Sequence, residues 1–465
     1  MLHTPQQQNY QMVSLLPWLL WLVLSLLSVY LLDLLAHSRR HLPPGPRPLP
    51  LIGSLHLLGD QPHRSLAGLA KKYGPLMSLR LGTVTTVVVS SPEIAREFLQ
   101  KHDAVFASRS VPDATGQHAR NSVPWLPNSP RWRALRRIMA TELFAPHRLD
   151  ALRHLRREKV TELVEHVARL AHEGHAVDVG RVAFATSLNL LSCTIFSHDL
   201  TSLDDHGASK EFQEVVVEIM EAAGCPNVSD YLPVLAAADL QGLRRRMAGL
   251  FARLHRVFDA EVDARLRERE HDAGERIRKG DFLDVLIDGA ARENDTSGMD
   301  RDTFRSLFTD LFGAGSDTSS STVEWAMAEL MRNPLCMARA CDELSQVIGL
   351  GRNIEESEIW KLPYLQAVVK ETSIIVATPS CNDNKNSRLY NTKRRTSRRI
   401  CPGMPLANRV VHLVLGSLLN QFKWNLPIEI EPNGIDMSEK FGLTLAKAIP
   451  LCALVTPITV KPADH

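Results

Sequence analysis

An uncharged apolar stretch near the N-terminus, Val13 to Leu32, constrains the fold of this chain more than any other feature. At 1.5 Å per residue, a helix of this length crosses a hydrocarbon core of about 30 Å. A cleaved signal peptide is the alternative, but the run is long for one and no basic segment precedes it. The basic residues that follow are Arg39, Arg40, His41 and Arg47. The stretch therefore predicts a single-pass membrane anchor with the rest of the chain in the cytosol, starting at Met1 or Met12.

The rest of the chain has the composition of a globular protein. Its 465 residues are 44% hydrophobic and 23% charged, enough to bury a large core. A formal net charge of +2 gives no reason to expect a nucleic-acid partner. The seven cysteines are odd in number and scattered without a CxxC pair, which argues against a disulfide framework and a structural zinc site. We therefore expect the folded part to face a reducing compartment.

A proline-rich segment, Leu42 to Pro50, follows the basic residues. Proline at this density predicts a semi-rigid, polyproline-like hinge, because neither a helix nor a central strand accommodates it. Two β-strands are predicted next, at residues 76–81 and 85–89, and then a helix from Pro92 to His102. The sequence is thus divided into an anchor with its basic flank, a hinge and one large domain, at residues 1–41, 42–50 and 51–465.

Amphipathic helices dominate the pattern from Pro130 to Leu344. The charged stretch Arg265 to Lys279 interrupts them and is expected to be a solvated loop or helix face. We therefore expect a mainly α fold with small β-sheets.

One long helix is predicted from Phe304 to Met331, with a small and polar centre at 314–320. Serine and threonine hydroxyls can bond back to helix carbonyls, so this centre is expected to bend or open and to leave room for a flat cofactor. Asp317 and Thr318 are an adjacent acid and alcohol that could relay protons. The alternative is a serine- and threonine-rich exposed turn of helix.

Trp132 and Arg136 lie one helical turn apart on one predicted helix face. A guanidinium group binds carboxylates in a fork, and an indole N–H adds another donor, so the pair suits the carboxylates of a cofactor. A solvated basic helix is the alternative.

Cys401 stands between Arg398–Ile400 and Pro402–Gly403, ahead of an apolar helical run from Leu406 to Phe422. Proline suits the first position of a helix, so Pro402 would place the cysteine at a helix N-terminus. The N–H groups and dipole there stabilise a thiolate, which makes Cys401 a candidate metal ligand. A simple turn before a helix is the alternative.

These motifs, in this order, resemble those of the cytochrome P-450 family of the plant membrane-bound type. The matching positions are Trp132 and Arg136 in WxxxR, Ala314, Gly315, Asp317 and Thr318 in AGxDT, Lys370 to Thr372 in KET, and Arg399, Cys401 and Gly403 in the cysteine loop. The resemblance implies a cytochrome P-450 fold behind a transmembrane helix, in the endoplasmic reticulum membrane.

The resemblance also implies a haem-thiolate monooxygenase that inserts one oxygen atom from O₂ into a small apolar substrate. Haem b would be bound through its iron by Cys401, with electrons from NADPH supplied by NADPH-cytochrome P-450 reductase. Other cofactor contacts are implied at Trp132, Arg136, Ala314, Gly315, Arg399 and Gly403. Asp317 and Thr318 would guide protons to bound oxygen.

Two short segments, Pro226–Pro233 and Asp239–Gly242, are similar to those of the plant subgroup that includes geraniol and diterpenoid hydroxylases. This similarity implies a terpenoid-like or alkaloid-like plant metabolite as substrate. Its binding space would be bordered by Ser122–Leu126, by Ala314 and by Leu443–Thr444.

Residues 373–397 depart from the family pattern. In the family's ExxR motif, Glu371 is present, but Ile374 occupies the arginine position. In its FxxGxRxC loop, Arg394 and Ser397 replace the phenylalanine and the glycine. The segment is polar, basic and without hydrophobic periodicity, so it is expected to be disordered or to be translated non-coding sequence, with the family's strands and meander missing. Its basic run also resembles a nuclear localisation patch, a weakly specific motif.

We expect this departure to destabilise the site. A buried Glu371 without its arginine would cost about 3–5 kcal/mol. The alternative to an active oxygenase is therefore an impaired or inactive truncated isoform, or a gene-model product, that binds haem poorly.

Overall fold

The structure, a computed structural model, describes residues 17–18, 20–21, 24–25, 28, 42–203, 208–271, 279–291, 299–377, 398–427 and 434–458. The chain divides into two compact units, Met1–Ala95 and Arg96–His465.

The predicted anchor, Val13 to Leu32, lies largely outside the described residues. Its described positions are helical, and Trp18 and Trp21 among them are exposed. Among the residues that the structure describes, one helix, Val179–Phe196, is long and apolar enough to cross a membrane. Since 83% of that helix is buried inside the protein, it has the environment of a core helix.

Within the described residues, the main elements of the first unit are a twelve-residue helix and a β-hairpin. Helix α1 (Pro62–Tyr73) has proline in its first turn and ends at Gly74, whose φ of 101° favours glycine. Strands β1 (Leu76–Leu81) and β2 (Val84–Val89) pair antiparallel, with Leu76 opposite Val89. The two predicted strands are confirmed.

Helices make up most of the second unit. The short helix α2 (Pro92–Arg96), which ends at the first residue of this unit, continues as a π-helical turn, Glu97–Lys101, and this confirms the helix predicted from Pro92. The helices that follow are α3 (Pro130–Ile138), α4 (Pro146–Ala151), α5 (Arg153–Glu173), α6 (Val179–Phe196), α7 (Ala208–Gly224), α8 (Val228–Tyr231), α9 (Leu243–His271), α10 (Phe282–Ala290), α11 (Arg301–Arg332), α12 (Pro334–Val347), α13 (Pro363–Ala377) and α14 (Met404–Gln421). The mainly α fold with small β-sheets is confirmed.

Helix α11 is the centre of the core and contacts α6, α9, α13 and α14. It starts where the Asp300 side chain accepts a hydrogen bond from the Thr303 amide. On this helix, Phe312 stacks on Phe196 of α6 and Phe258 of α9, and Phe308 meets the same two rings edge-on, all at centroid distances of 5.1–5.6 Å. The long helix predicted at 304–331 is confirmed, and it runs unbroken through the centre where a bend was expected.

Small antiparallel sheets complete the second unit. Strand β7 (Cys452–Pro457) lies between β3 (Val177–Asp178) and β4 (Phe422–Asn425). Strands β5 (Glu439–Lys440) and β6 (Ala446–Lys447) form a separate pair.

The start of the cysteine helix differs from the prediction. Pro402 lies in a turn, Gly403 is the N-cap of α14, and Pro405 takes the first-turn position. Both prolines suit a helix start, and the one further along the chain occupies it. Cys401 therefore precedes the N-cap by two residues.

The expectation of a solvated stretch from Arg265 is also wrong at its first residue. Arg265 belongs to α9, and its side chain is only 3% exposed. Its guanidinium donates to Asp281 at 2.7 Å and to Asp284 at 2.8 Å. These partners follow it by 16 and 19 residues, beyond the reach of a local charge pattern.

Candidate functional site

Helix α3 positions Trp132 and Arg136. Its first turn is fixed by Pro130 and by the hydroxyl of Ser129, which accepts from the Trp132 amide at 3.2 Å. Trp132 is buried, and its indole N–H donates to the Val123 carbonyl at 3.2 Å. The Arg136 guanidinium lies 5.6 Å from the indole ring centre, as the one-turn spacing predicts.

The cysteine loop meets α3 at these two side chains. Arg136 donates through Nη2 to the Ile400 carbonyl at 2.7 Å, next to Cys401. The Arg399 guanidinium lies over the Trp132 ring at 4.3 Å from its centre, within the range of a cation–π contact. The fold thus brings together four predicted residues that are far apart in the sequence, Trp132 and Arg136 with Arg399 and Cys401.

Arg399 also fixes the loop that precedes α3. Its guanidinium donates to three backbone carbonyls, those of Ala107 at 2.5 Å, Val123 at 3.2 Å and Leu126 at 2.5 Å. The predicted substrate border at Ser122–Leu126 is therefore tied directly to the cysteine loop.

The charges around Cys401 are predominantly positive. Burial lowers the pKa of Arg136, the thiolate form of Cys401 raises it, and the charge of Arg109 lowers it further. Burial and the charges of Arg109 and Arg136 likewise lower the pKa of Arg399. An anion bound here would relieve this repulsion. Arg109 was not among the predicted residues.

Cys401 is exposed, with a free thiol. Gly403, two residues later, caps α14, and a Cβ there would lie 3.5 Å from the Phe144 ring. Gly403 is thus placed at the packing contact between the cysteine loop and Phe144.

The centre of α11 borders open space. Ala314 is exposed although its neighbours Leu311 to Gly313 and Ser316 are buried, and a Cβ on Gly313 would meet nothing within 4 Å. Gly315 faces elsewhere, because a Cβ on it would lie 2.6 Å from Cδ1 of Leu191 on α6. Glycine at 315 therefore permits close packing of α6 on α11, while Gly313 and Ala314 face the space.

The acid and alcohol of α11 have separate partners. Thr318 donates from its hydroxyl to the Ala314 carbonyl at 2.6 Å. Asp317 is buried and accepts a hydrogen bond from the Thr444 hydroxyl at 2.5 Å. Burial raises the pKa of Asp317 to about 6, the bond from Thr444 lowers it, and the charge of Glu221 raises it. Asp317 can therefore exchange a proton near neutral pH.

One link between the two groups of residues was missed from the sequence. Asp310 lies one turn before Ala314 and accepts from the Val123 amide and the Ser122 hydroxyl, both at 2.7 Å. The Val123 carbonyl accepts from Trp132 and Arg399, so Val123 connects α11 with the cysteine loop through its amide on one side and its carbonyl on the other. A lone acid in the apolar run Leu307 to Gly313 is the signal that could have identified it.

A family model for cytochrome P-450 matches residues 43–373. The chain belongs to the cytochrome P-450 family. Three plant relatives can be aligned with nearly the whole of this chain. They are a geraniol 8-hydroxylase of Catharanthus roseus, 45% identical over 90% of this chain and 95% of its own; a geranylhydroquinone 3''-hydroxylase of Arnebia euchroma, 39% identical over 94% and 98%; and a 7-ethoxycoumarin O-deethylase of Helianthus tuberosus, 40% identical over 93% and 98%. The resemblance to plant cytochromes P-450 of the geraniol hydroxylase group is thus confirmed.

Family membership gives the cofactor, a haem whose iron is bound by a thiolate and receives electrons from NADPH through a reductase. The chemistry of the residues present fits this group. The Cys401 thiol interacts with Arg136, which lies close to the guanidinium groups of Arg109 and Arg399. This positive charge suits the propionates of haem, and open space borders the small residues of α11. A thiol ligand, positive charge for the propionates and space for the ring are therefore all present.

The cytochrome P-450 match ends at residue 373, where the sequence predicts the departure. Helix α13 continues to Ala377, and Arg394 and Ser397 lie outside the described residues. Glu371 is exposed, so the expected burial of an unpaired glutamate, with its energetic cost, is wrong. The alignment with the geraniol 8-hydroxylase spans 476 positions but only 90% of these 465 residues. That relative therefore has residues at many positions where this chain has none.

Proposed function

We propose that this chain is a haem-thiolate monooxygenase that inserts one oxygen atom from O₂ into a C–H bond of a small apolar, terpenoid-like plant metabolite. The observation that carries the proposal is the meeting of Cys401, Arg136, Arg399 and Trp132 at one place. The named substrates of two relatives, geraniol and geranylhydroquinone, favour a terpenoid over an alkaloid.

The residues around Cys401 would bind the cofactor. Cys401 would hold the iron, while Arg136, Arg399 and the Trp132 N–H would exchange their backbone carbonyls for propionate oxygens. Gly403 would keep the loop close to Phe144. Haem held in this way supplies the activation of O₂ and the transfer of one oxygen atom.

The centre of α11 would form the opposite wall. Ala314 leaves room for the ring and the substrate, and Gly315 lets α6 support the helix from behind. Thr318 lies one turn from Ala314 on the same face, and its hydroxyl would exchange the Ala314 carbonyl for a group bound in the space in order to donate a proton there. Asp317 would resupply that proton from its buried position beside Thr444.

We also propose the placement of the protein in the cell. Residues 1–41 would anchor it in the endoplasmic reticulum membrane through Val13–Leu32, 42–50 would form the hinge, and 51–465 the cytosolic catalytic domain. The basic surface that includes Arg109 and Arg398 would receive the reductase.

A second candidate, an impaired form with poor haem binding, is favoured by one observation. The family match stops at residue 373, ahead of the cysteine loop. On this alternative the anchor and the core persist while the cofactor is held weakly or not at all.

A carbon monoxide difference spectrum of the reduced, full-length protein tests both candidates. We expect the thiolate-type Soret band in the wild type, its loss in Cys401→Ser, and its retention in Cys225→Ser, an exposed cysteine outside the site. If no haem co-purifies with the wild type, the impaired form is correct. If the band survives in Cys401→Ser, the ligand assignment is wrong.

A further inference from the structure

The loop between β5 and β6 is fixed to two helices, one on each side of Thr444. Before Thr444, the Leu443 amide donates to the Met220 carbonyl of α7 at 3.1 Å. After it, the Leu445 carbonyl accepts from the indole N–H of Trp325 on α11 at 2.9 Å. Thr444 is therefore placed by its two neighbours in the chain.

The same loop touches the end of α7 backbone to backbone. A Cβ on Gly224 would lie 2.2 Å from the carbonyl carbon of Gly442 and 2.3 Å from the nitrogen of Leu443. An ion pair between Lys440 of β5 and Glu221 of α7, at 2.5 Å, adds a side-chain contact. Any side chain at position 224 would thus force the loop away from α7.

The docked loop presents the Thr444 hydroxyl to Asp317, which precedes it by 127 residues. The hydroxyl donates to Oδ2 at 2.5 Å, and Asp317 is only 6% exposed. Among the described residues, Oδ1 of the same group accepts no hydrogen bond. Thr444 therefore holds one carboxylate oxygen and leaves the other to exchange a proton.

The charged side chains on the elements around this carboxyl group are Glu221, Glu324, Lys440 and Lys447. Burial and the charge of Glu221 raise the pKa of Asp317 to about 6, whereas the bond from Thr444 lowers it. Of these influences, the Thr444 hydroxyl is the one that favours the carboxylate.

We propose that Thr444 is a positioning residue for Asp317 and that the docking of its loop on α7 keeps it in place. The proposal rests on the proposed function, in which Asp317 resupplies a proton to Thr318. Thr444 fixes the orientation of the carboxyl group through Oδ2, so that proton exchange takes place at Oδ1. Displacement of the loop from α7 breaks this bond and leaves Asp317 without its donor.

Four variants separate this role from simple filling of space. Thr444→Val keeps the shape of the side chain but removes the hydroxyl, and Thr444→Ser keeps the hydroxyl. Gly224→Ala leaves Thr444 unchanged but introduces the Cβ that displaces its loop. Thr194→Val is the matched control, because this buried threonine of α6 donates to the Leu190 carbonyl instead.

The first measurement is an infrared titration of the full chain and needs no cofactor. The band of Asp317 is the carboxylic acid band, with a midpoint near pH 6, that is absent in Asp317→Asn. Its midpoint should rise by about one pH unit in Thr444→Val, because the carboxylate loses a donor, and should also rise in Gly224→Ala. Thr444→Ser and Thr194→Val should leave it in place.

An unchanged midpoint in Thr444→Val overturns the proposal. An unchanged midpoint in Gly224→Ala overturns the part assigned to α7. A rise in Thr444→Ser equal to that in Thr444→Val shows that the shape of the side chain, and not its hydroxyl, is responsible, and this also overturns the proposal.

The second measurement uses the haem-loaded protein with its reductase and geraniol as the probe. Thr444→Val should raise peroxide release per NADPH about threefold and increase the solvent isotope effect, while the dissociation constant of geraniol stays within about twofold. Thr444→Ser should restore both values. Unchanged peroxide release in Thr444→Val overturns the proposal. If the wild type holds no haem, the proposed function fails, and the titration alone decides whether Thr444 fixes Asp317.

Discussion

At the scale of single residues, the backbone of Val123 connects the two parts of the site. Its carbonyl accepts from Trp132 and Arg399, both at 3.2 Å, and its amide donates to Asp310 at 2.7 Å. The residues proposed to hold the cofactor and the helix proposed to face it are therefore positioned by the two peptide groups on either side of one residue. Asp310 fixes the Val123 amide, and its side chain is only 7% exposed.

Replacing Asp310 by alanine should lower the free energy of unfolding by about 3 kcal/mol, because the buried donors of Ser122 and Val123 lose their acceptor. Urea unfolding followed by circular dichroism measures the change. Asp302→Ala is the control on the same helix. It is 69% exposed and pairs with Arg305, so we expect a loss below about 1 kcal/mol. Equal losses in the two variants would contradict the importance of the Asp310 contacts.

The raised pKa of Glu324 makes stability depend on pH. The folded protein keeps this proton up to about pH 7, whereas the ordinary pKa is 4.5, so the folded state binds more protons between these values. Stability contributed by this group therefore falls as pH rises through that window.

The free energies of unfolding of the wild type and Glu324→Gln, compared at pH 4 and pH 8, give the contribution of this carboxyl group to the pH dependence of stability. The wild type should lose on the order of 3 kcal/mol relative to the variant across this range. A constant difference between the two proteins at both pH values would show that Glu324 titrates normally.

At the scale of elements, helix α14 is held to α5 by a buried ion network. The Arg156 guanidinium, 1% exposed, binds both carboxylate oxygens of Glu356, and Arg409 on α14 donates to the same carboxylate at 3.1 Å. Arg409 also reaches Asp150 at 2.8 Å. The helix that follows Cys401 thus has an anchor independent of residues 373–397.

Arg156→Ala should destabilise the protein by about 3–5 kcal/mol, because it removes a buried charge from a paired carboxylate and leaves a cavity. Its neighbour Arg157 on α5 is 74% exposed, and Arg157→Ala should cost less than about 1 kcal/mol. Thermal unfolding of both variants provides the comparison. A mild effect of Arg156→Ala would mean that α14 is held chiefly by its apolar face.

Elements with a strong local pattern could be predicted from the sequence. The hairpin β1–β2 and the long helix α11 follow from alternation and from helical periodicity. The residues around Cys401 could be named from motifs, and Asp310 could have been singled out as a lone acid in an apolar run, but its partners could not have been predicted. The partners of Asp310 lie 187 to 192 residues away in the chain, and local patterns carry no information on such pairs.

At the scale of the whole molecule, the core and the family match differ in extent. Helices α5 and α11 each contact both α6 and α14, and residues of these helices belong to one continuous core. The family match nevertheless ends at residue 373, ahead of the cysteine loop. Family relatives have additional residues, so the chain keeps the framework of the fold while lacking part of the scaffold that relatives carry.

Replacing residues 374–397 by the corresponding segment of the geraniol 8-hydroxylase should raise the haem bound per chain at least about twofold and raise the melting temperature, because haem stabilises the folded state that binds it. The ratio of Soret to protein absorbance measures occupancy. A shuffled segment of the same composition and length is the control. If both segments give the same occupancy, the departure at 373–397 has no bearing on cofactor retention.

The exposed edge of the hairpin β1–β2 bears on how long the protein persists in the cell. Within the described residues, this sheet contains only two strands, and Val84 and Val87 are 39% and 40% exposed. A strand edge with apolar side chains is a template for pairing with other chains and a target for chaperones and proteases. We therefore expect this sheet to affect the abundance of the protein, that is, how long a newly made copy persists before quality control removes it.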